Sequence, residues 1–327
     1  MCKTERVSIV ILNWNGTKYI DKCIESVLAQ TYKEIEIIIV DNNSIDGSIQ
    51  KIQKTYPFFR YVLNDCNLGF AKGMNKGIEI ATGKFVVALN LDVFLKNDFI
   101  EICVKKAYKN SNIGGVGGKE LAWNNGELTK TISSSGGPGY LKKRGQGFFG
   151  HNYNKEQYCF GVMGSFPFFK KDALESVKSV SNYYFDPDFE TGWEDKDLYF
   201  RLHLKKWSFL YAPDAIGWHV GSGSADGEKK LIHKNLEYQK KVFRNRYYFI
   251  IKNYPSILLN WLFFSLLITE FLLPLYFLVK APKSFIALCL ARIELIKSWK
   301  SLIKKRKNIQ KNIQINPKDL KIFFKKF

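Results

Sequence analysis

The chain has no Cys-x-x-Cys pair and no cysteine beside a histidine at zinc-finger spacing, which excludes a structural zinc ribbon or finger. Its six cysteines (Cys2, Cys23, Cys66, Cys103, Cys159 and Cys289) are scattered, the pattern of reduced thiols in a cytosolic compartment. No P-loop is present. Gly69, Gly73 and Gly77 do not make G-x-G-x-x-G, so a dinucleotide site is not indicated. No secretory signal is visible: the first apolar run, Val7 to Leu12, is too short for an h-region and leads directly into Asn13-Trp14-Asn15-Gly16. Internal repeats are also lacking.

What is present is apolar and basic. The 327 residues suffice for one large domain and an appendage. An apolar fraction of 46% with 15% aromatic residues predicts a packed core and argues against disorder. The net charge of +20 implies a polyanionic partner. Residues 280–327 hold fourteen of the fifty Lys and Arg but two of the thirty acidic residues. This basic end follows a long apolar run, the arrangement of a membrane-surface anchor. A nucleic-acid-binding domain would spread its basic residues over a folded face, so no specific nucleic acid is expected.

Val7–Leu12 and Ile35–Val40 are β-branched runs, each ending in a polar turn. Tyr19–Ala29 between them has helical spacing. Near-continuous apolar strands alternating with a helix predict a mostly parallel α/β sheet covered on both faces. Arg60–Leu63 and Phe85–Leu89 read as further strands, with a helix over Ala71–Ala81 between them. A helix over Asp195–Lys205 and a strand over Phe209–Ala212 follow. In such sheets ligands bind beyond the carboxyl ends of the strands, so Asn13, Asp41 and Asn90-Leu91-Asp92 are expected to converge. Residues 124–150 are glycine-rich and read as a long loop, a candidate lid or binding segment.

The acids follow the same logic. Asp41 and Asp46 share one turn, Asp92 follows another strand, and Glu194, Asp195 and Asp197 cluster after Trp193. With His219 they suit a divalent cation that handles a diphosphate, because Mg²⁺ and Mn²⁺ take carboxylate oxygen and Mn²⁺ also accepts imidazole. The bland alternatives are Asx-turns for Asp41 and Asp46, helix N-terminal charges for the second cluster, and a structural role for His219.

Six segments carry a family resemblance: VSIVILNWNG (7–16), VDNNSIDGS (40–48), NLGFAKGMN (67–75), LNLD (89–92), FDPDFETGWEDKDLYFRL (185–202) and APDAIGWHVGSGS (212–224). In this order and spacing they resemble the inverting glycosyltransferase family 2, rhamnosyltransferase-like branch, with the Rossmann-like GT-A fold. The resemblance implies that Asn13 and Asp41 contact the nucleoside of a nucleotide-sugar donor and that Asn67, Gly69, Asn75 and Asn90 belong to the donor side. It implies that Asp92 and His219 hold Mg²⁺ or Mn²⁺, that Asp195 is the catalytic base, and that Trp193 and Glu194 shape the acceptor site. Many members carry Asp-x-Asp where this chain has Asn90-Leu91-Asp92, which leaves Asp92 the sole ionic ligand there and His219 more necessary. The QxxRW pattern of processive members is absent, which points to one or a few sugar additions. A nucleotidyltransferase of related architecture would need a glycine-rich phosphate loop at Asn13–Gly16. A non-catalytic membrane scaffold of the same fold and a basic nucleic-acid-binding protein are the other readings.

We divide the chain into a glycosyltransferase-like domain, residues 1–235, and a helical region with a basic tail, residues 236–327. Ile257–Val279 is long enough to cross a bilayer core of ~30 Å, but Asn260, Glu270 and Pro274 interrupt it. Basic residues flank both sides, and positive residues stay cytoplasmic. The expectation is a re-entrant or interfacial hairpin bent near Pro274, at the cytoplasmic face of the inner membrane, with a buried core helix or dimer interface as alternatives. A polyprenyl-diphosphate-linked acceptor would suit that place.

Overall fold

The computed structural model describes residues 5–124, 127–134, 153–162, 164–221 and 231–324. The N-terminal half begins with strand β1 (Val7–Asn13), helix α1 (Ile20–Leu28), β2 (Ile35–Asp41), α2 (Ser48–Thr55), β3 (Arg60–Leu63), α3 (Gly69–Ile80) and β4 (Phe85–Asn90). Then come β5 (Val93–Leu95), α4 (Phe99–Ala107), β6 (Ile113–Asn124), β7 (Glu127–Ser134), β8 (Gln157–Cys159), β9 (Phe168–Lys170), α5 (Lys171–Ser181), α6 (Glu194–Leu204) and β10 (Ser208–His219). Three long helices follow: α7 (Leu236–Asn253), α8 (Ser256–Lys280) and α9 (Pro282–Lys311).

The strands form a single mixed sheet in the order β3-β2-β1-β4-β9-β6-β10-β5, with β7 on β6 and β8 on β10. Strands β3, β2, β1 and β4 run parallel. Beyond β4 the pairing turns antiparallel through β9, and β6 and β10 are parallel to each other. Alternate side chains on β1 explain the two-faced burial. Val10 joins a core with α3, α5, α6 and α7, while Ile9 and Ile11 join a second core with α1, α2 and α4. Strands β1, β2 and β4 are buried on both faces, so they read as near-continuous apolar runs, while β3 is a half-exposed edge.

Helix α3 lies close to the sheet because Gly77 faces it. A Cβ there would sit 2.3 Å from Val10 Cγ1 and 2.7 Å from Val40 Cγ2. Gly77→Ala is therefore expected to destabilise the domain by ~1–3 kcal/mol, the usual range for overpacking, as read by chemical denaturation.

The last strand is longer than the expected Phe209–Ala212. It continues through an irregularity between Tyr211 and Ile216, and His219 is its final residue, opposite Val93 of β5 and Ala122 of β6. Of the glycine-rich segment 124–150, residues 127–134 form β7, and the rest of the expected loop lies almost wholly outside the described residues.

The expected bend at Pro274 is corrected. Helix α8 runs through Pro274 to Lys280, and the chain turns at Ala281 instead. Proline deprives the carbonyl one turn earlier of its helical donor, and here the Arg292 guanidinium donates to that Glu270 oxygen at 3.3 Å. The Glu270 carboxylate is itself met by Arg246 of α7, Tyr247 and Arg292 of α9. Its charge is thus neutralised inside an apolar helix. Helix α8 is long and apolar enough to cross a membrane, with mean hydropathy 2.1 and little of its surface covered. Phe263, Phe264, Leu267, Phe271 and Val279 are exposed on it.

Candidate active site

Parallel register places the strand ends together. Asn13 lies opposite Asp41, and Leu12 opposite Asn90. Asn13 is fully buried, and its amide donates to Asp41 Oδ1 at 2.7 Å, Ser48 Oγ at 2.9 Å and Ser44 Oγ at 3.1 Å. Asp41 also accepts from the Ser44 hydroxyl at 2.6 Å and the Ser44 N–H at 2.9 Å. Asp41 thus closes an Asx-type turn, and Asp46 closes the next one. Burial works against the Asp46 carboxylate, but donors from Ser48 and Thr17 outweigh it and hold its pKa well below the usual range.

The asparagines around α3 fall into two groups. Asn42 donates to Asn67 Oδ1 at 3.2 Å and to the Gly69 carbonyl at 3.2 Å, and Asn67 Oδ1 receives the Gly69 N–H at 2.9 Å. These bonds shape the turn that starts α3. Asn75 uses its amide differently: it exchanges two hydrogen bonds with the Phe185 backbone, at 2.7 and 2.8 Å, and so ties α3 to the segment leading toward α6.

The centre of the site is a line of polar groups across β4, β5, β6 and β10. His219 Nε2 lies 3.3 Å from Asp92 Oδ1, and His219 Nδ1 lies 3.1 Å from Glu120 Oε1. Ser165 in turn donates to the other oxygen of Glu120. Glu120 and Asp92 are buried. Burial disfavours a charged imidazole, but Glu120 and Asp92 override it and push His219 up to about 10. Sequence reasoning missed Glu120. The available signal was a lone carboxylate inside the strand-like run GGVGGKELAW.

Ser165 links this line to the second acidic cluster. Its carbonyl accepts the Asn90 N–H at 2.8 Å. Its neighbour Gly164 packs against Asp195, where an added Cβ would stand 3.1 Å from Asp195 Oδ2. Asn90, Asp92, His219 and Asp195 are therefore joined through one short segment at one end of the sheet. Asp195 sits in the first turn of α6, its Oδ1 accepting the Lys196 N–H at 2.7 Å. Next to it, Glu194 has a carboxylate oxygen that is shielded from solvent and without a hydrogen-bond partner. Burial and the Asp195 charge raise its pKa well above the carboxylate range. Trp193 precedes both in a left-handed conformation (φ +75°), with the Lys196 ammonium 4.5 Å from its ring centre.

Asp197 does not join this group. It is buried and accepts from Arg201 at 2.8 Å, Lys252 at 2.6 Å and Asn253 at 2.7 Å, so it serves the packing of α6 against α7. Among the described residues no cluster of three or more His, Cys, Asp and Glu has the arrangement to hold a cation by itself. Asp92 Oδ1 and His219 Nε2 nevertheless face each other as two donors for a cation that displaces the Nε2 proton on binding. Glu120 on the far ring nitrogen fixes the orientation, as metal-binding histidines require.

Comparison with known proteins places this geometry. The Glycosyl transferase family 2 domain matches residues 8–178. The poly-beta-1,6-N-acetyl-D-glucosamine synthase of Staphylococcus epidermidis is 28% identical over 66% of this chain and 50% of its own length. The chain thus spans about half the length of that curated relative. A Methanococcus voltae dolichyl N-acetyl-alpha-D-glucosaminyl phosphate 3-beta-D-2,3-diacetamido-2,3-dideoxy-beta-D-glucuronosyltransferase is 27% identical over 83% of this chain and 84% of its own. Among solved structures, GalNAc-T7 with UDP, GalNAc and Mn²⁺ superposes with TM-score 0.59 at 13% identity, over 78% of this chain and 49% of that one. This likeness shows a shared GT-A-like fold. With more than half of its length matched by the family domain, and with the strand-end acids that domain brings together, the chain belongs to glycosyl transferase family 2.

Proposed function

We propose that this glycosyltransferase moves a sugar from a dTDP- or UDP-sugar, rhamnose among the candidates, to a lipid-linked saccharide during cell-surface polysaccharide synthesis, inverting the anomeric centre. The observation that carries the reading is the line Asp92–His219–Glu120 joined through Ser165 and Gly164 to Asp195.

The acceptor hydroxyl has a pKa far above neutrality and needs a base within hydrogen-bond reach as it attacks. In this reading Asp195 takes that proton, the new glycosidic bond forms at the anomeric carbon, and the bond to the nucleoside diphosphate breaks on the opposite face. Asn13 and Asp41 with the Asn67–Gly69 turn, Asn75 and Asn90 form the donor side, and Trp193 and Glu194 border the acceptor. Mg²⁺ or Mn²⁺ on Asp92 and His219 would neutralise the charge that develops on the departing diphosphate.

Residues 236–327 would hold residues 1–235 at the cytoplasmic face of the inner membrane. The exposed apolar face of α8 and the basic residues of α9 suit an anionic lipid surface. The Methanococcus relative, whose name specifies a dolichyl-phosphate-linked acceptor, aligns with 83% of this chain and favours the lipid-linked choice.

The test is nucleoside diphosphate release from UDP-, dTDP- and GDP-sugars by the full chain in mild detergent. Mn²⁺ or Mg²⁺ and a polyprenyl-linked saccharide extract are supplied. Metal-dependent release from one donor is expected. A chain that neither binds nor turns over any donor would be a scaffold that kept the fold.

A further inference from the structure

The segment Asp186–Trp193 that delivers Asp195 makes no regular secondary structure. It ends in two successive left-handed residues, Gly192 (φ +73°) and Trp193 (φ +75°). A left-handed conformation is open to glycine but strained for a tryptophan. It persists only where the surroundings over-determine it.

Helix α7 supplies those surroundings. Asn245 is fully buried, and its amide donates to the carbonyls of Thr191 and Gly192, both at 2.9 Å. Its own carbonyl oxygen receives the Arg244 guanidinium twice, both at 3.1 Å. Arg244 in turn donates to the Asp188 carbonyl at 3.0 Å and reaches Glu190 and, on α9, Glu294. Both donors of this one amide are thus spent on carbonyls at the reversal, and its oxygen on Arg244. An amide is suited to this task, since a carboxylate would face two carbonyl oxygens.

We infer that Asn245 is a positioning residue for Asp195, clamping Thr191–Gly192 so that the left-handed pair aims the first turn of α6 into the site. This rests on the reading of Asp195 as the base. Asn245 stands fifty residues along the chain from Asp195, and its side chain bonds to Thr191, Gly192 and Arg244 and so acts through the loop.

The experiment compares Asn245→Ala and Asn245→Asp with Asp195→Asn and the double variant Asn245→Ala/Asp195→Asn, all in the full chain. Asn245→Ala is expected to lower kcat by roughly 10²-fold, the loss that a misplacement of about 1 Å can cause. Donor binding, measured as nucleotide affinity, should stay unchanged. In the Asp195→Asn background the same substitution should cost nothing further, as for residues acting as one unit. An equal loss in both backgrounds, or loss of donor binding with kcat intact, would overturn the assignment. Hydrogen exchange supplies a readout independent of activity. Amides of 188–197 should exchange faster in Asn245→Ala while β1 and β2 keep their protection. Unchanged exchange there rejects the clamp, and faster exchange throughout shows a general loss of stability and rejects it too. A wild-type chain that transfers no sugar refutes the base assignment, and with it the positioning role. The exchange data would then stand as evidence on the loop alone.

Discussion

Asp195→Asn is expected to lower sugar transfer by ~10²–10⁴-fold, the contribution of a general base, while nucleotide binding is retained. The substitution is nearly isosteric, and Oδ1 can still accept the Lys196 N–H. What is lost is a carboxylate that, under the proposed mechanism, takes the acceptor's proton. Glu194 cannot substitute: burial first, and the Asp195 charge second, keep its proton on at pH values where ordinary carboxyls have lost theirs. A protonated acid is mimicked by an amide, so Glu194→Gln is expected to keep most of the activity at neutral pH. Steady-state kinetics on both variants, with nucleotide affinity measured in parallel, decides between the neighbours. Near-full activity in Asp195→Asn, or collapse only in Glu194→Gln, would reverse the two roles.

Lys252→Met should be the most destabilising single change of those considered. The Lys252 ammonium pairs with Asp186 and, at 2.6 Å, with Asp197, and none of the three side chains is more than 1% exposed. Removing one partner of a buried pair costs ~3–5 kcal/mol because a charge is left behind. Here about 3 kcal/mol is expected, the lower end of that range, since Lys305 still reaches Asp186 at 2.7 Å and Arg201 still reaches Asp197 at 2.8 Å. For comparison, loss of the more open Lys178–Glu79 pair should cost less than about 1 kcal/mol.

The acid limb gives a second readout. Burial opposes the Asp186 carboxylate, but Lys252 and Lys305 outweigh it and hold its pKa far below the usual range. Its unfolded pKa is ~3.9, so the stabilisation is complete above that pH and drains away as the pH falls toward the depressed folded value. Denaturation curves between neutral and strongly acid pH should therefore fall less steeply in Lys252→Met than in wild type. Parallel slopes would mean that Lys252 does not hold that carboxylate.

The parallel half of the fold was legible because strands buried on both faces are spelled as apolar runs, and the polar residue that ends each run marks the strand's carboxyl end. Asn13, Asp41 and Asn90 were placed this way, and the structure sets them in register. The other half was not. Strand β6 opens with four glycines among its first six residues, and β8 and β9 are three residues each, too short for periodicity to speak. The partners of the acids were hidden for a different reason. Glu120 and His219 are 99 positions apart, and Asp186 and Lys252 are 66 apart. Such pairings are fixed by tertiary packing and leave no local pattern. The same holds for helix α7, whose Arg244, Asn245 and Lys252 are buried against the loop before Asp195. The interruption at Pro274 was visible, but not the arginine eighteen residues later that repairs it.

The ion network around Asp186 also imposes an order of events during synthesis. Lys305, 119 residues downstream, supplies one of its cations. A ribosome adding ~5–20 residues per second releases the parallel strands and their turns well before α9 can dock. The nascent chain can thus assemble its parallel half early, whereas the loop leading to Asp195 lacks the last counter-charge of Asp186 until the C-terminal helices have emerged.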